Sequence, residues 1–414
     1  MAESLSTQVA EDPAVARRPL RIALVTETYP PEVNGVALTL QRVVEGLRSR
    51  HHSIQLVRPR QGRQDEPAAR RGDFEEVLVR GCPIPRYPGM RMGLPATRCL
   101  VALWRRERPS LVYVATEGPL GWSALQAASR LGLPVCSDFR TNFHAYSSHY
   151  GFGWLRRPIM AMLRGFHNRC AVTMVPSEPL RQELARGGFE RLALVARGVD
   201  TALFDPARRS ETLRRSWGVE ADGMVALFVG RLAPEKNLEA LARTFRAMHA
   251  ACPALRLVVV GDGPAREALA GLLPDAILTG SQRGEALAAH YASADVFLFP
   301  SMTETFGNVT LEAMASGLAV LAFDHAAAGQ FIRSDGNGLL ARFDDEADFI
   351  RQALRLVGQR EMIPGLAAQA RVTASELGWD GILGQIEGVF ATTLESASQP
   401  RLRELPERAL AGAP

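Results

Sequence analysis

A single lysine, Lys236, stands among the 48 basic side chains of this 414-residue chain, and the other 47 are arginine. It lies in GRLAPEKNLEAL (230–241), five residues after Arg231. An ammonium is a compact point charge that fits where several phosphate oxygens converge, whereas a guanidinium is a planar fork. Two cations at this spacing could neutralise a diphosphate, although by spacing alone a pair of solvated surface charges is the simpler reading. A second group occupies SMTETFGNVTLEAMASG (301–317). There Glu304 falls in a turn, Phe306, Gly307, Asn308 and Val309 lead the chain into a helix, and Glu312 follows about one turn further in. Amides at such a helix start point outward and favour a phosphate, while a carboxylate beside a phosphate repels it. Glu304 and Glu312 therefore suit hydroxyl groups. The third group is TYPPEVNGV (28–36), where Pro30 and Pro31 stiffen the chain. Asn34-Gly35 then permits a turn with positive φ directly before a helix, so that an anion can come close. His144, in DFRTNFHAY between Phe143 and Tyr146, taken alone reads as a partly buried structural histidine.

The elements that must position these residues read as two series of strands and helices. RIALVTE (21–27), the amphipathic VALTLQRVVEGLRSR (36–50) and HSIQLVRP (52–59) form a strand, a crossover helix and a parallel strand. LVYVATE (111–117), PVCSDF (134–139) and VTMVPS (172–177) continue the series. A second series runs through MVALFVG (224–230), LRLVVVGDG (255–263), AILTGS (276–281), DVFLFPS (295–301) and LAVLAFD (318–324). Both halves read as α/β, Rossmann-like and doubly wound, joined near 197–211. In such sheets the ligand crevice lies beyond the carboxyl ends of the strands, which is where all three loops fall. No GxGxxG follows the first strand, which counts against a nicotinamide enzyme.

Length alone predicts two domains. No apolar run reaches the roughly 18 residues that cross a bilayer, and the polar, acidic start does not resemble a signal peptide, so the expectation is a cytosolic protein. The five cysteines are odd in number and lack a CxxC pair, which predicts neither a disulfide framework nor a zinc site. Residues 1–200 carry 28 arginines and 18 acids, a balance of +10, while the remaining 20 basic and 26 acidic groups balance at −6. A basic first half suits nucleic acid, an anionic membrane or a phosphorylated substrate, and the absence of nucleic-acid motifs ranks the first of these last. The arginines and apolar residues of 149–169, with RYPGMRMGLP (86–95) and ALWRRERP (102–109), suit docking on an anionic membrane surface, although 149–169 by itself reads slightly better as a core helix with a wet arginine face.

Taken together, Asn34-Gly35, the R-x4-K of Arg231 and Lys236, the GDGP of 261–264 and the E-x7-E of Glu304 and Glu312 resemble glycosyltransferase family four, the retaining GT-B enzymes, over 21 to about 390. The resemblance implies two Rossmann-like domains facing across a cleft. Their expected limits are 20–205 for the acceptor domain and 206–378 for the nucleotide-sugar domain, with a helix over 379–395 returning to the first domain and disordered tails at 1–19 and 396–414. It implies that Gly35, next to Asn34, and the amides around Phe306, Gly307, Asn308 and Val309 cradle a diphosphate, with Arg231 and Lys236 as counter-cations. Glu312 would hold ribose hydroxyls, Glu304 hydroxyls of the transferred sugar, and His144 would face that sugar from the opposite wall. The partners implied are a UDP- or GDP-linked sugar as co-substrate, with no separate cofactor, and a lipid or sugar acceptor. No D-x-D triplet occurs, so metal-independent transfer is expected, with side-chain cations and helix dipoles stabilising the leaving diphosphate. ATEGPLGW (115–122) and SDFRTNFHAYSSHYG (137–151) resemble the branch with diacylglycerol glycosyltransferases and GDP-mannose-dependent mannosyltransferases, which points to a glycolipid acceptor. A transferase acting on a soluble sugar or polysaccharide, a sugar-nucleotide epimerase and a non-catalytic sensor are the alternatives.

Overall fold

The computed structural model describes residues 18–32, 34–62, 64–84, 87–140, 156–220, 223–304 and 306–398. Its strands are β1 (Arg21–Val25), β2 (Ser53–Pro59), β3 (Phe74–Val79), β4 (Gly81–Ile84), β5 (Tyr87–Gly93), β6 (Leu111–Val114), β7 (Val135–Asp138), β8 (Val172–Val175), β9 (Leu192–Leu194), β10 (Val225–Val229), β11 (Arg256–Val260), β12 (Ile277–Gly280), β13 (Val296–Phe299), β14 (Ala319–Phe323) and β15 (Leu339–Ala341). Seven form one sheet in the order β3-β2-β1-β6-β7-β8-β9, and six form another in the order β12-β11-β10-β13-β14-β15. Neighbours in both sheets run parallel, with β1 in register between β2 and β6, and β10 between β11 and β13. Every residue of the central strands β10, β13 and β14 is buried, which is why they are uninterrupted apolar runs: helices cover both faces of a parallel sheet. β4 and β5 make a separate antiparallel hairpin.

Four short or charged strands carry little apolar signal. β3, FEEVLV, hides behind Glu75 and Glu76, whose carboxylates accept from Gln55 (2.7 Å) and from the buried Arg58 (2.6 Å) on β2. β9 and β15 are three residues each, and β5 falls in the arginine-containing 86–95 stretch. Much of the apolar set suited to a membrane faces inward instead. Trp104 is fully buried and its indole donates to Gln55 Oε1 at 2.9 Å. In the Arg156–His167 helix Leu163 and Phe166 are buried, Phe166 packing edge-on against Trp122, while Met162, Arg157 and Arg164 stay outside. Helical spacing explains the split, since residues three and four apart share a face.

The chain passes between the domains twice, at one place. Arg371 fixes the first passage by donating to the carbonyls of Thr201 (3.1 Å) and Phe204 (2.8 Å) and to Asp205 (2.7 Å), and a bridge joins Val199 to Gly378 on the second. The Trp379–Ser398 helix then lies on the first domain. Gly46 leaves room for Leu383, since a Cβ there would stand 2.3 Å from a Leu383 methyl group, and Phe390 meets Tyr113 edge-on at 5.6 Å. Polar contacts fix the register. His52 Nδ1 accepts from the Leu20 amide (3.0 Å), so its proton is on Nε2, which donates to Glu387 Oε1 (2.9 Å), and Arg50 donates to Glu387 Oε2 (2.6 Å). Removing one partner of a buried charged pair costs on the order of 3 kcal/mol. Glu387→Ala is accordingly expected to lower the urea midpoint and to speed amide exchange throughout 379–398, whereas unchanged exchange there would show that packing alone holds the helix.

Candidate active site

Each sheet has one place where successive crossovers leave in opposite directions: between β1 and β6 in the first, between β10 and β13 in the second. The crevice of a doubly wound sheet opens at that switch point. In the second domain the β10 loop carries Arg231 and Lys236, the β13 loop carries Glu304 with Glu312 in the helix after it, and a contact between Lys236 and Glu304 joins the two loops. Pro234–Lys236 is a single 3-10 turn, and Asn237 is left-handed (φ 54°) before the Leu238–Ala251 helix, so the chain reverses with the lysine at its bend. Lys236 Nζ pairs with Glu304 Oε1 and lies 5.6 Å above the Phe299 ring. Ser301 Oγ donates to the same carboxylate oxygen at 2.7 Å. Arg231 reaches back to the buried Glu235 (2.7 Å) and leaves 42 % of its side chain exposed, so each cation sits on its own carboxylate.

Glycines set these loops. Gly307 (φ 90°) precedes the Asn308–Ala315 helix, whose first turn receives no side-chain cap. Phe306 itself is core, packed edge-on to Phe331, and its carbonyl accepts from Ala327, so only its backbone borders the crevice. Val309 is partly buried against the same core. In GDGP, Gly261 (φ 142°) and Gly263 (φ 155°) press on the β10 loop: a Cβ at Gly261 would lie 1.9 Å from the Gly230 carbonyl oxygen, and one at Gly263 2.4 Å from that of Leu232. The β11 loop thus sets the height of Arg231.

Across the cleft, Asn34 and Gly35 do not form the expected positive-φ turn. Asn34 is extended (φ −151°) and caps the Gly35–Ser49 helix, its Oδ1 accepting from the Ala37 amide at 2.9 Å. Gly35 is simply the first helical residue, and the space its side chain would fill is open, with nothing within 4 Å. Its glycine identity serves close approach rather than backbone reversal. Asn308 Nδ2 lies 3.4 Å from Thr39 Oγ1 of that helix, which places the two helix starts face to face. His144 lies outside the described residues.

Two family models cover most of this arrangement, Glycosyltransferase Family 4 over 33–203 and Glycosyl transferases group 1 over 223–359. The chain is 36% identical over 377 residues to a GDP-mannose-dependent alpha-mannosyltransferase of Mycolicibacterium smegmatis, covering 91% of this chain and 98% of the relative. The chain belongs to glycosyltransferase family 4. It is also 27% identical to an alpha-monoglucosyldiacylglycerol synthase of Streptococcus pneumoniae, over 73% of this chain and 71% of that protein. Its fold matches that of a sucrose-phosphate synthase from Thermosynechococcus elongatus, at a TM-score of 0.74 and 19% identity over 91% of this chain and all of that one. The two facing domains are the GT-B arrangement, and the protein is a glycosyltransferase.

Burial tunes the carboxylates of this transferase unequally. Glu312 is pushed up to about 7 by burial, against the hydrogen bond it accepts from Tyr291 OH at 2.9 Å. The sequence reading left two neighbours aside. The His325 ring is hydrogen-bonded to the backbone of Glu304 and is held below its usual value by burial. Its place after β14, at another strand end, was the available signal. Glu117, after β6 at the first domain's switch point, is 4 % exposed, has no hydrogen-bond partner among the described residues beyond its own backbone, and is pushed up to about 8 by burial. Beside it Asp138 holds Arg197 (2.9 Å) and Arg140 (2.7 Å) and stays near 2: burial raises it, and the two guanidiniums prevail. Gly261→Ala is expected to force the β10 and β11 loops apart, destabilise the second domain by about 2 kcal/mol and lower transfer further than that loss of stability explains. Urea unfolding and initial rates on one preparation check both parts.

Proposed function

We propose that this glycosyltransferase moves a mannosyl unit from GDP-mannose to a hydroxyl group of a membrane glycolipid, with retention at the anomeric carbon and without a metal ion. The observation that carries the reading is that Lys236, five residues after Arg231, meets Glu304 at one switch point, where the uncapped Asn308–Ala315 helix start also touches the Gly35–Ser49 helix. An uncapped helix start and an unbranched cation are complementary to a diphosphate. The 36% identity over 98% of a GDP-mannose-dependent relative supports the donor, and the similarity to a diacylglycerol glucosyltransferase supports the lipid acceptor. The lack of any D-x-D triplet supports a leaving group stabilised by side chains and amides.

In this reading Lys236 and Arg231 take the diphosphate charge, the amides of Gly307, Asn308 and Val309 bind its oxygens, and the open face at Gly35 admits it. Glu312 accepts from the ribose hydroxyls. Glu304, already in contact with Lys236, accepts from hydroxyls of the transferred sugar, with His144 on the opposite wall. Lys236 then bridges sugar and phosphate, a position that a branched guanidinium fills poorly. Incubation with labelled GDP-mannose and membrane lipids, in the presence of a chelator, is the direct test. Lipid-bound label supports the reading, label only on a soluble sugar replaces the acceptor class, and label lost in the chelator removes metal independence.

Lys236→Ala is expected to lower kcat/KM by about 10²- to 10³-fold, as for loss of one transition-state donor, and Lys236→Arg to restore only part of it. Full recovery by arginine in steady-state kinetics would refute the geometric role. Glu312 gives a pH signature. Ribose hydroxyls bind its ionised form better, so donor binding lowers its pKa and affinity grows as pH rises through about 7. Between pH 6 and pH 8 the gain is about tenfold. In Glu312→Gln the profile is flat, which calorimetric titration with GDP-mannose at several pH values checks.

A further inference from the structure

Beyond the cleft, a second cavity of 620 Å³ opens at the carboxyl ends of β2 and β3, beside the β4–β5 hairpin. Arg60, Arg80 and Arg91 line it together with Leu78, Val79 and Leu94, and the described lining residues include no carboxylate. The acids nearest in the chain are already engaged. Asp65 takes two bonds from Arg58 (2.7 and 2.9 Å) and the Gln61 amide (2.7 Å), and Glu32 takes Thr28 Oγ1, Gln61 Nε2 (2.6 Å) and the Arg91 amide (3.2 Å). The Arg91 guanidinium is oriented by the Gly81 carbonyl at 2.7 Å, yet its buried Nε has no hydrogen-bond partner among the described residues. A buried donor without a partner forfeits the hydrogen bond it made in water, and three guanidiniums in one cavity repel each other. Both terms are relieved by the same occupant, an anion with several acceptor oxygens.

The rim says more about its source. Leu94, one of the lining residues, is 41 % exposed although it is large and apolar. A cation-lined hollow with an exposed leucine at its mouth fits a phosphate attached to hydrocarbon better than one in free solution. The cavity is also tied to the loop after β1, because Glu32 bonds Gln61 and the Arg91 amide on one side and Thr28 on the other. We propose that this cavity binds the phosphate of an anionic phospholipid headgroup, seating the acceptor domain on the bilayer beside the entrance to the transfer cleft. The inference rests on the lipid-acceptor reading for its purpose, and on the three arginines for its chemistry.

Flotation of the full-length protein with vesicles tests it. The wild-type chain binds vesicles containing phosphatidylglycerol and not vesicles of phosphatidylcholine alone. The double variant Arg60→Glu, Arg80→Glu, with its fold checked by melting temperature, binds the anionic vesicles at least tenfold more weakly. The control variant Arg130→Glu, exposed in the last turn of the Pro119–Leu131 helix and not among the residues lining the cavity, keeps wild-type binding. Equal loss in the control would reduce the effect to diffuse basic charge, and binding unaltered in the double variant, or absent in the wild-type chain, would overturn the site. Inorganic phosphate or glycerol 1-phosphate binding as tightly as the vesicles would assign the cavity to a soluble anion instead. Transfer to lipid is assayed separately, so a transferase that floats but glycosylates no lipid refutes the acceptor and leaves the cavity standing.

Discussion

A lone ammonium in contact with a carboxylate, Lys236 on Glu304, is the interaction around which the rest of the second domain is arranged. The two residues are 68 positions apart in the chain and meet only because β10 and β13 are adjacent parallel strands ending at the same edge. Everything that keeps them together is backbone geometry: a 3-10 turn with a left-handed exit at Asn237, a left-handed glycine at 307, and a glycine pair at 261 and 263 wedged against the neighbouring loop. The pair keeps two charges satisfied within the protein and, in the proposed function, presents both, one beside the other, to a ligand that carries negative phosphate next to neutral hydroxyls. That juxtaposition is the chemical signature of a nucleotide sugar.

Much of this was legible in the residues themselves. The lysine identity of residue 236 stood out because arginine fills every other basic position, and the strands that carry the loops are the continuous apolar runs that burial on both faces requires. Less visible were strands whose outward side chains are charged, as in β3, or that are too short to show a period, as in β9 and β15. Asn34-Gly35 misled in a particular way. Asparagine before glycine reads as a tight turn, but the same asparagine is an excellent helix cap, and here capping prevailed because the glycine is itself the first helical residue. Trp104, Leu163 and Phe166 looked amphipathic among arginines, and only tertiary packing shows which face of each helix is wet.

The charge of the chain also has a structural logic. The arginines of the first domain are not spread evenly over solvent. Arg58 and Arg140 are buried on carboxylates, Arg50 holds the last helix, and Arg60, Arg80 and Arg91 gather at one cavity. Acidic groups concentrate instead at the first switch point, where Glu27 accepts from the Leu120 amide (2.8 Å) and Glu117 stays neutral by burial. The first domain is therefore cationic at its rim, while its centre holds a buried ion cluster, Asp138 on Arg140 and Arg197, beside a carboxyl that burial keeps neutral.

The double passage between domains constrains their motion. Two adjacent segments, stitched by the Val199–Gly378 bridge and clamped by Arg371, behave as the pin of a door rather than as a slack tether. Sliding of one lobe along the other would tear both segments at once, whereas swinging about the line through them disturbs only a few torsions. Opening and shutting of the cleft is thereby restricted to a single angular coordinate, and the distance between Gly35 and the Asn308 helix start becomes a direct gauge of it.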